Sequence, residues 1–130
     1  METTIIILFV LFQIKHLMFD FFLQGPYQYL NKGKYGHFGG IFHALLHAYG
    51  TMFVLYFAIS SVLPFQTALL LSLVDAVTHY HVDWAKVNVT RYFKLTPTTS
   101  EWFWHLVGID QALHQLTYIG IIWYVVKVIQ

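Results

Sequence analysis

Four pairs of ionisable residues recur at a spacing of four inside otherwise apolar stretches of this chain: His16/Asp20, His43/His47, His79/Asp83 and Asp110/His114. On a helix, residues four apart lie about 40° apart around the axis and one turn along, so each pair forms one polar stripe on an apolar body. An ionisable group in the hydrocarbon core of a bilayer costs roughly 2.5–3.5 kcal/mol on insertion scales. A chain that places such a pair on each of four helices is expected to bring the pairs together.

Composition points to a membrane protein. The 130 residues are 58% hydrophobic and 10% charged, against about 25% charged in a soluble domain. The length suits one domain, residues 1–130. A net charge of +1 gives no reason to expect a nucleic-acid partner. The absence of cysteine excludes disulfides, thiolate metal sites and thiol nucleophiles. The N-terminus lacks the basic residues and the small-residue cleavage site of a signal peptide, so it is read as a retained first helix.

The breakers divide the chain into four spans. Helix 1 is expected over residues 4–24, ending at Gly25–Pro26. Residues 26–36, with Asn31, Lys32 and Lys34, read as a loop. Helix 2 is expected over 37–62, and Leu63–Pro64 makes a tight hairpin into helix 3. Helix 3 continues to about Lys86 or a little beyond, a polar, Thr-rich segment follows over residues 88–100, and Ser100 is positioned to cap helix 4 over 101–128. Each span has about 20 residues or more, enough to cross a hydrocarbon core of about 30 Å. The expected fold is an all-α integral membrane four-helix bundle. Lys32, Lys34, Lys86, Arg91 and Lys94 share one side. The positive-inside rule makes that side cytoplasmic and puts both termini outside. The four polar pairs then fall in the same half of the bilayer, roughly 6–20 Å below the loop-side surface at about 1.5 Å per residue.

Histidine and carboxylate together suit a divalent transition metal, zinc foremost. The expected ligands are His16, Asp20, His47, His79, Asp83, Asp110 and His114, enough for one or two ions. Gln24, His43, Lys86 and Gln111 are expected around them. Each histidine taken alone reads more simply as a hydrogen-bonded buried side chain, and Lys15 as a snorkelling or paired cation. His37 and His105 read as interfacial, and His81 faces away from His79. Trp84, Trp102, Trp104 and Trp123 read as interface belts. Gly36, Gly39 and Gly40 are expected to admit a neighbouring helix. A metal-free polar network is the competing reading.

The order of the motifs resembles a family of small bacterial and phage integral-membrane proteins known as domain of unknown function 3307. The carriers are His16, Asp20, Phe21 and Gln24, then Lys32 or Lys34 with His47. His79, Asp83 and Lys86 follow, and Asp110, Gln111 and His114 complete the series. The resemblance covers residues 12–118. It implies an intramembrane site and brings no reaction with it. The chain is also similar to bacterial membrane proteins labelled metal-dependent hydrolases.

Three functions follow as expectations. One is a metal-dependent hydrolase acting on a lipid or lipid-linked substrate. Another is a non-catalytic, metal-stabilised membrane protein that contacts other membrane proteins, such as a phage accessory or exclusion factor. The last is a proton or ion path, opposed by the lack of ionisable groups in Val54–Ile59 and Ile119–Val126. A homo-oligomer is compatible with each. No serine-hydrolase elbow, phosphate loop or His-Glu-x-x-His motif is present.

Overall fold

The apolar runs fold as helices throughout the computed structural model, which describes residues 2–129. The elements are α1 (Glu2–Leu17), a π-helical turn (Met18–Phe22), α2 (Pro26–Tyr29), α3 (Phe38–Ile59), α4 (Phe65–Tyr92) and α5 (Glu101–Ile129). No strand occurs among the described residues.

The helix ends follow local chemistry. The π turn closes with Leu23 N donating to Met18 O at 2.8 Å, and Gly25–Pro26 stops the chain. Pro26 then opens α2, where a missing N–H costs nothing. The reading of residues 26–36 as plain loop is corrected here. The side chain of His37 caps α3 by accepting from Gly39 N at 3.0 Å. The end of α4 lies beyond the expected Lys86, at Tyr92. Leu95 N donates to Thr90 O and Lys94 N to Arg91 O, while Lys94 takes a left-handed φ of 52°. This is a Schellman termination with lysine where glycine is usual.

Three segments are long and apolar enough to cross a membrane: Glu2–Phe22, Phe38–Ile59 and Glu101–Ile129. The expectation was four. Helix α4 has the length, 28 residues, but Asp75, His79, Asp83 and Lys86 make its second half more polar than the other three.

The long helices contact one another in a closed ring: α1 with α3 and α5, and α4 with α3 and α5. The interior divides into two layers. At one end Leu8, Phe12, Val54, Leu55, Ile59, Leu63, Ala68, Leu71, Tyr118, Ile121, Ile122 and Val125 form an apolar core. At the other end most buried side chains are polar, Lys15, His16, His43, His47, Thr51, Ser72, Asp75, His79, Asp83, Asp110 and His114, with a small apolar cluster of Ala44, Ala48 and Ala76 between α3 and α4. The sequence reading places all four pairs in one half of the helices, and the structure agrees. The outside is apolar, with Phe22, Phe57 and Trp123 all more than 60% exposed.

Two glycine contacts set the approach of chain segments to α3. A Cβ on Gly39 would meet Tyr27 O at 2.5 Å, and one on Gly40 would meet Lys32 Cα at 3.1 Å. Gly39 thus receives the α2 segment, Gly40 receives both Lys32 and the Tyr80 ring of α4 at 3.3 Å, and Gly36 has nothing within 4 Å of a built Cβ. The close helix approach is instead at Gly50, where a Cβ would lie 2.5 Å from the Phe19 ring of the π turn.

Candidate metal centre

Each long helix delivers its polar residues along one stripe. Helix α1 presents Lys15 and His16, and the π turn presents Asp20. Such turns widen the helix by one residue and are common at functional sites. Helix α3 presents His43, His47 and Thr51, and α5 presents Asp110, His114 and Tyr118, each at steps of four. Helix α4 presents Ser72, Asp75, His79 and Asp83. All of these are buried except Asp20, whose side chain is 8% exposed.

The Asp20 carboxylate is the first focus. Its Oδ1 lies 3.0 Å from His43 Nε2, 3.0 Å from His47 Nε2 and 3.4 Å from His79 Nε2. Its Oδ2 lies 3.3 Å from His16 Nε2. The Nε2 atoms of His43 and His79 are 3.1 Å apart. Asp83 is the second focus. Its Oδ2 is 3.4 Å from both His43 Nε2 and His79 Nε2, and its Oδ1 is 3.8 Å from His114 Nε2. His114 Nε2 is in turn 3.5 Å from Asp110 Oδ1. Three overlapping groups result: His16, Asp20, His47 and His79; His43, His79 and Asp83; and Asp83, Asp110 and His114. Within each, the ligand atoms lie within 4.8 Å of one another.

Around these groups a set of polar side chains fixes ring orientation. His16 Nδ1 is 3.0 Å from Tyr118 Oη, and its Nε2 is 2.9 Å from Gln111 Oε1. His43 Nδ1 is 3.0 Å from Gln28 Oε1, and the Gln24 amide nitrogen is 2.9 Å from His43 Nε2. Gln111 Nε2 donates to Asp110 Oδ2 at 3.1 Å. Lys32 Nζ donates to Asp83 Oδ2 at 3.1 Å. Four buried atoms have no hydrogen-bond partner among the described residues: His47 Nδ1, His79 Nδ1, Asp110 Oδ1 and His114 Nε2.

The layer gathers all seven residues expected as ligands. His43, expected at the periphery, is at the centre, within 3.4 Å of both Asp20 and Asp83. Gln24 and Gln111 take the surrounding positions expected of them. Lys86 does not: it forms no ion pair among the described residues, and Lys32 is the cation on Asp83. Lys15 pairs with a carboxylate, that of Asp75. His81 lies outside the layer, bonded to Val77 O and near Tyr35 Oη. His105 is exposed beside Trp102. Sequence reasoning missed Gln28, Thr51 and Tyr118. A signal for two of them exists, since Thr51 follows His47 and Tyr118 follows His114 by one more step of four.

The arrangement passes three tests as a cation site. Around a tetrahedral ion with bonds of about 2.0–2.1 Å, neighbouring donors are about 3.3 Å apart. The nearest donor pairs, at 3.0–3.8 Å, lie around that value, within groups whose donors are all within 4.8 Å of one another. Three carboxylates (Asp20, Asp83, Asp110) against one ammonium (Lys32) leave a formal charge of −2 when the imidazoles are neutral. A divalent ion offsets that charge, which buried side chains otherwise carry at high cost. The donor set, imidazole and carboxylate without thiolate, suits zinc, iron or manganese.

No curated protein and no solved structure matches the chain. A family model described as "Protein of unknown function" matches residues 8–130. Over nearly its whole length, then, the chain belongs to the DUF3307 family of proteins of unknown function.

Proposed function

We propose that this protein is a membrane-embedded metalloprotein whose His/Asp layer holds one or two divalent transition-metal ions, zinc by its donor chemistry. The observation that carries the reading is the convergence of three overlapping His/Asp groups from four helices in one buried layer. Three imidazoles lie within 3.4 Å of one oxygen of Asp20, one more donor than that oxygen has lone pairs. The residues assigned as ligands are His16, Asp20, His43, His47, His79, Asp83, Asp110 and His114, with Gln24, Gln28, Gln111 and Tyr118 orienting them.

The reading includes a four-span bundle in the bacterial inner membrane, both termini outside and the basic loops cytoplasmic. Trp102 and Trp123 on α5 are separated by about 31 Å at 1.5 Å per residue, the spacing of two interfacial belts. Helix α4 is tolerable as the fourth span because its two carboxylates, Asp75 and Asp83, are buried in the interior, where Lys15 and Lys32 pair with them.

The reaction class assigned is hydrolysis of a lipid or lipid-linked substrate. A bound divalent ion supplies water activated near neutral pH and polarises a carbonyl or phosphoryl oxygen. The full burial of His47 and His79, both 0% exposed, favours a second reading, in which the metal clasps the helices of a membrane interaction protein. The apolar layer of Leu8, Phe12, Leu55 and Val125 speaks against a proton path across a single chain.

Elemental mass spectrometry of the detergent-purified protein tests the proposal. One or two equivalents of a transition metal are expected, lost in an Asp83→Ala/His114→Ala variant. Folded, metal-free wild type would overturn it. Hydrolysis of lipid phosphoesters or acyl esters by the loaded protein, abolished by chelation, separates the enzyme from the clasp.

A further inference from the structure

Resting on the metal reading above, we infer that the layer holds two ions of unequal coordination, bridged by Asp83, and that the ion at Asp83, Asp110 and His114 has an open coordination position. The argument is one of shared donors. His79 belongs to both the Asp20 group and the His43 group. One imidazole nitrogen binds one ion, so these two groups cannot each hold an ion at the same time. The third group shares only Asp83 with them, and a carboxylate has two oxygens. Asp83 Oδ2 faces His43 and His79 at 3.4 Å, and Asp83 Oδ1 faces His114 at 3.8 Å. The two oxygens thus point into different donor sets, the arrangement of a carboxylate that bridges two metals.

The two sets differ in what satisfies them. Around Asp20 the separations of 3.0 Å to Nε2 of His43 and His47 are those of hydrogen bonds, and the atoms without a partner among the described residues are Nδ1 of His47 and His79 rather than the Nε2 atoms next to the carboxylate. At the other set, His114 Nε2 and Asp110 Oδ1 are buried without a hydrogen-bond partner among the described residues. They stand 3.5 Å apart, with both residues at least 95% buried. Unpaired buried donors and acceptors are uncommon and call for a partner. Two atoms 3.5 Å apart, as His114 Nε2 and Asp110 Oδ1 are, can both reach one cation at the zinc–nitrogen and zinc–oxygen bond lengths of about 2.0–2.2 Å.

The donor count then sets the asymmetry. The first ion draws on His79 and the donors grouped with it: His16, Asp20 and His47 in one group, His43 and Asp83 Oδ2 in the other. The second draws on three protein donors. Three donors with a fourth position free is the pattern of a catalytic ion, and four or more is that of a structural one.

Metal-stripped, detergent-purified protein titrated with Co(II) decides this. Wild type is expected to bind two equivalents, and Asp110→Asn one. Inorganic phosphate, used as a small oxyanion probe, is expected to shift the visible cobalt band of wild type and leave that of Asp110→Asn unchanged. The isosteric substitution preserves shape, and the wild-type stoichiometry stands without any variant. A single equivalent in wild type, retained by Asp110→Asn, overturns the two-ion assignment while leaving the metal reading intact. Failure to bind cobalt at all removes both. Two equivalents with a phosphate-insensitive band overturn the open position.

Discussion

Lys15 Nζ lies 2.5 Å from Asp75 Oδ2, with the two side chains 3% and 1% exposed. The pair sits between the apolar core and the His/Asp layer. Thr51 Oγ1 donates to the same carboxylate oxygen at 2.5 Å, and Lys15 also donates to Tyr118 Oη at 3.2 Å. Through Tyr118, which is 3.0 Å from His16 Nδ1, this ion pair braces a histidine of the layer.

Removing one partner strands the other. Lys15→Met is expected to destabilise the protein by about 3–5 kcal/mol, the cost of leaving a buried charge uncompensated. The double variant Lys15→Met/Asp75→Leu is expected to recover most of that loss, because two apolar groups replace two charges and the Thr51 hydroxyl can bond back to its own helix. Unfolding in detergent, followed by loss of helical circular dichroism, measures both. A double variant as unstable as the single one would refute this account.

The lysine on the layer is Lys32, not Lys86. Lys32→Met removes the cation from Asp83 and is expected to cost roughly 1–3 kcal/mol in metal-free protein, as for a buried acceptor left unpaired. On the metal reading that cost shrinks when zinc is present, since an ion then faces the same carboxylate. Lys86→Met is expected to change neither state. Thermal unfolding of the two variants, with chelator and with zinc, reads the difference.

Much of this was legible from spacing alone. The i,i+4 pairs gave the helices, their interior faces and the common depth, because 3.6-residue periodicity and the cost of charge in an apolar setting act on sequence directly. The central place of His43 was not legible. It depends on how the α2 segment, seated on Gly39 and Gly40, brings Gln28 to its ring. The exchange of Lys86 for Lys32 has the same origin. A loop position carries no periodicity, so no pattern announces that Lys32 folds back over Asp83. The π turn at Asp20 likewise has no mark in the residues Met18–Phe22, since it is set by the packing of Phe19 against Gly50.

That packing makes Gly50 a test of the geometry. A Cβ there would lie 2.5 Å from the Phe19 ring and 3.0 Å from Lys15 Cγ. Gly50→Leu is expected to push α1 and the π turn off α3, at a cost of about 1–3 kcal/mol for overpacking. Asp20 would then separate from His43 and His47. Metal content should fall along with stability. On the exposed face of α5, Gly120 has nothing within 4 Å of a built Cβ. Gly120→Ala is therefore expected to leave metal content unchanged and to favour the helix by up to about 1 kcal/mol.

The orientation can be tested without background, because the chain contains no cysteine. Lys34, Thr98 and Ser61 are exposed, the first two in the segments joining α2 to α3 and α4 to α5, the third between α3 and α4. Four spans with cytoplasmic basic loops place Lys34 and Thr98 on one side and Ser61 on the other. In intact spheroplasts a membrane-impermeant maleimide is expected to label Ser61→Cys and to spare Lys34→Cys and Thr98→Cys. Inside-out vesicles are expected to give the opposite pattern. The reverse labelling would invert the orientation and put the His/Asp layer near the outer surface, where, on the hydrolase reading, a lipid substrate would come from the other leaflet. Labelling of Ser61→Cys and Thr98→Cys from the same side would mean that α4 does not cross, and the bundle would then have to hold its polar layer with three spans rather than four.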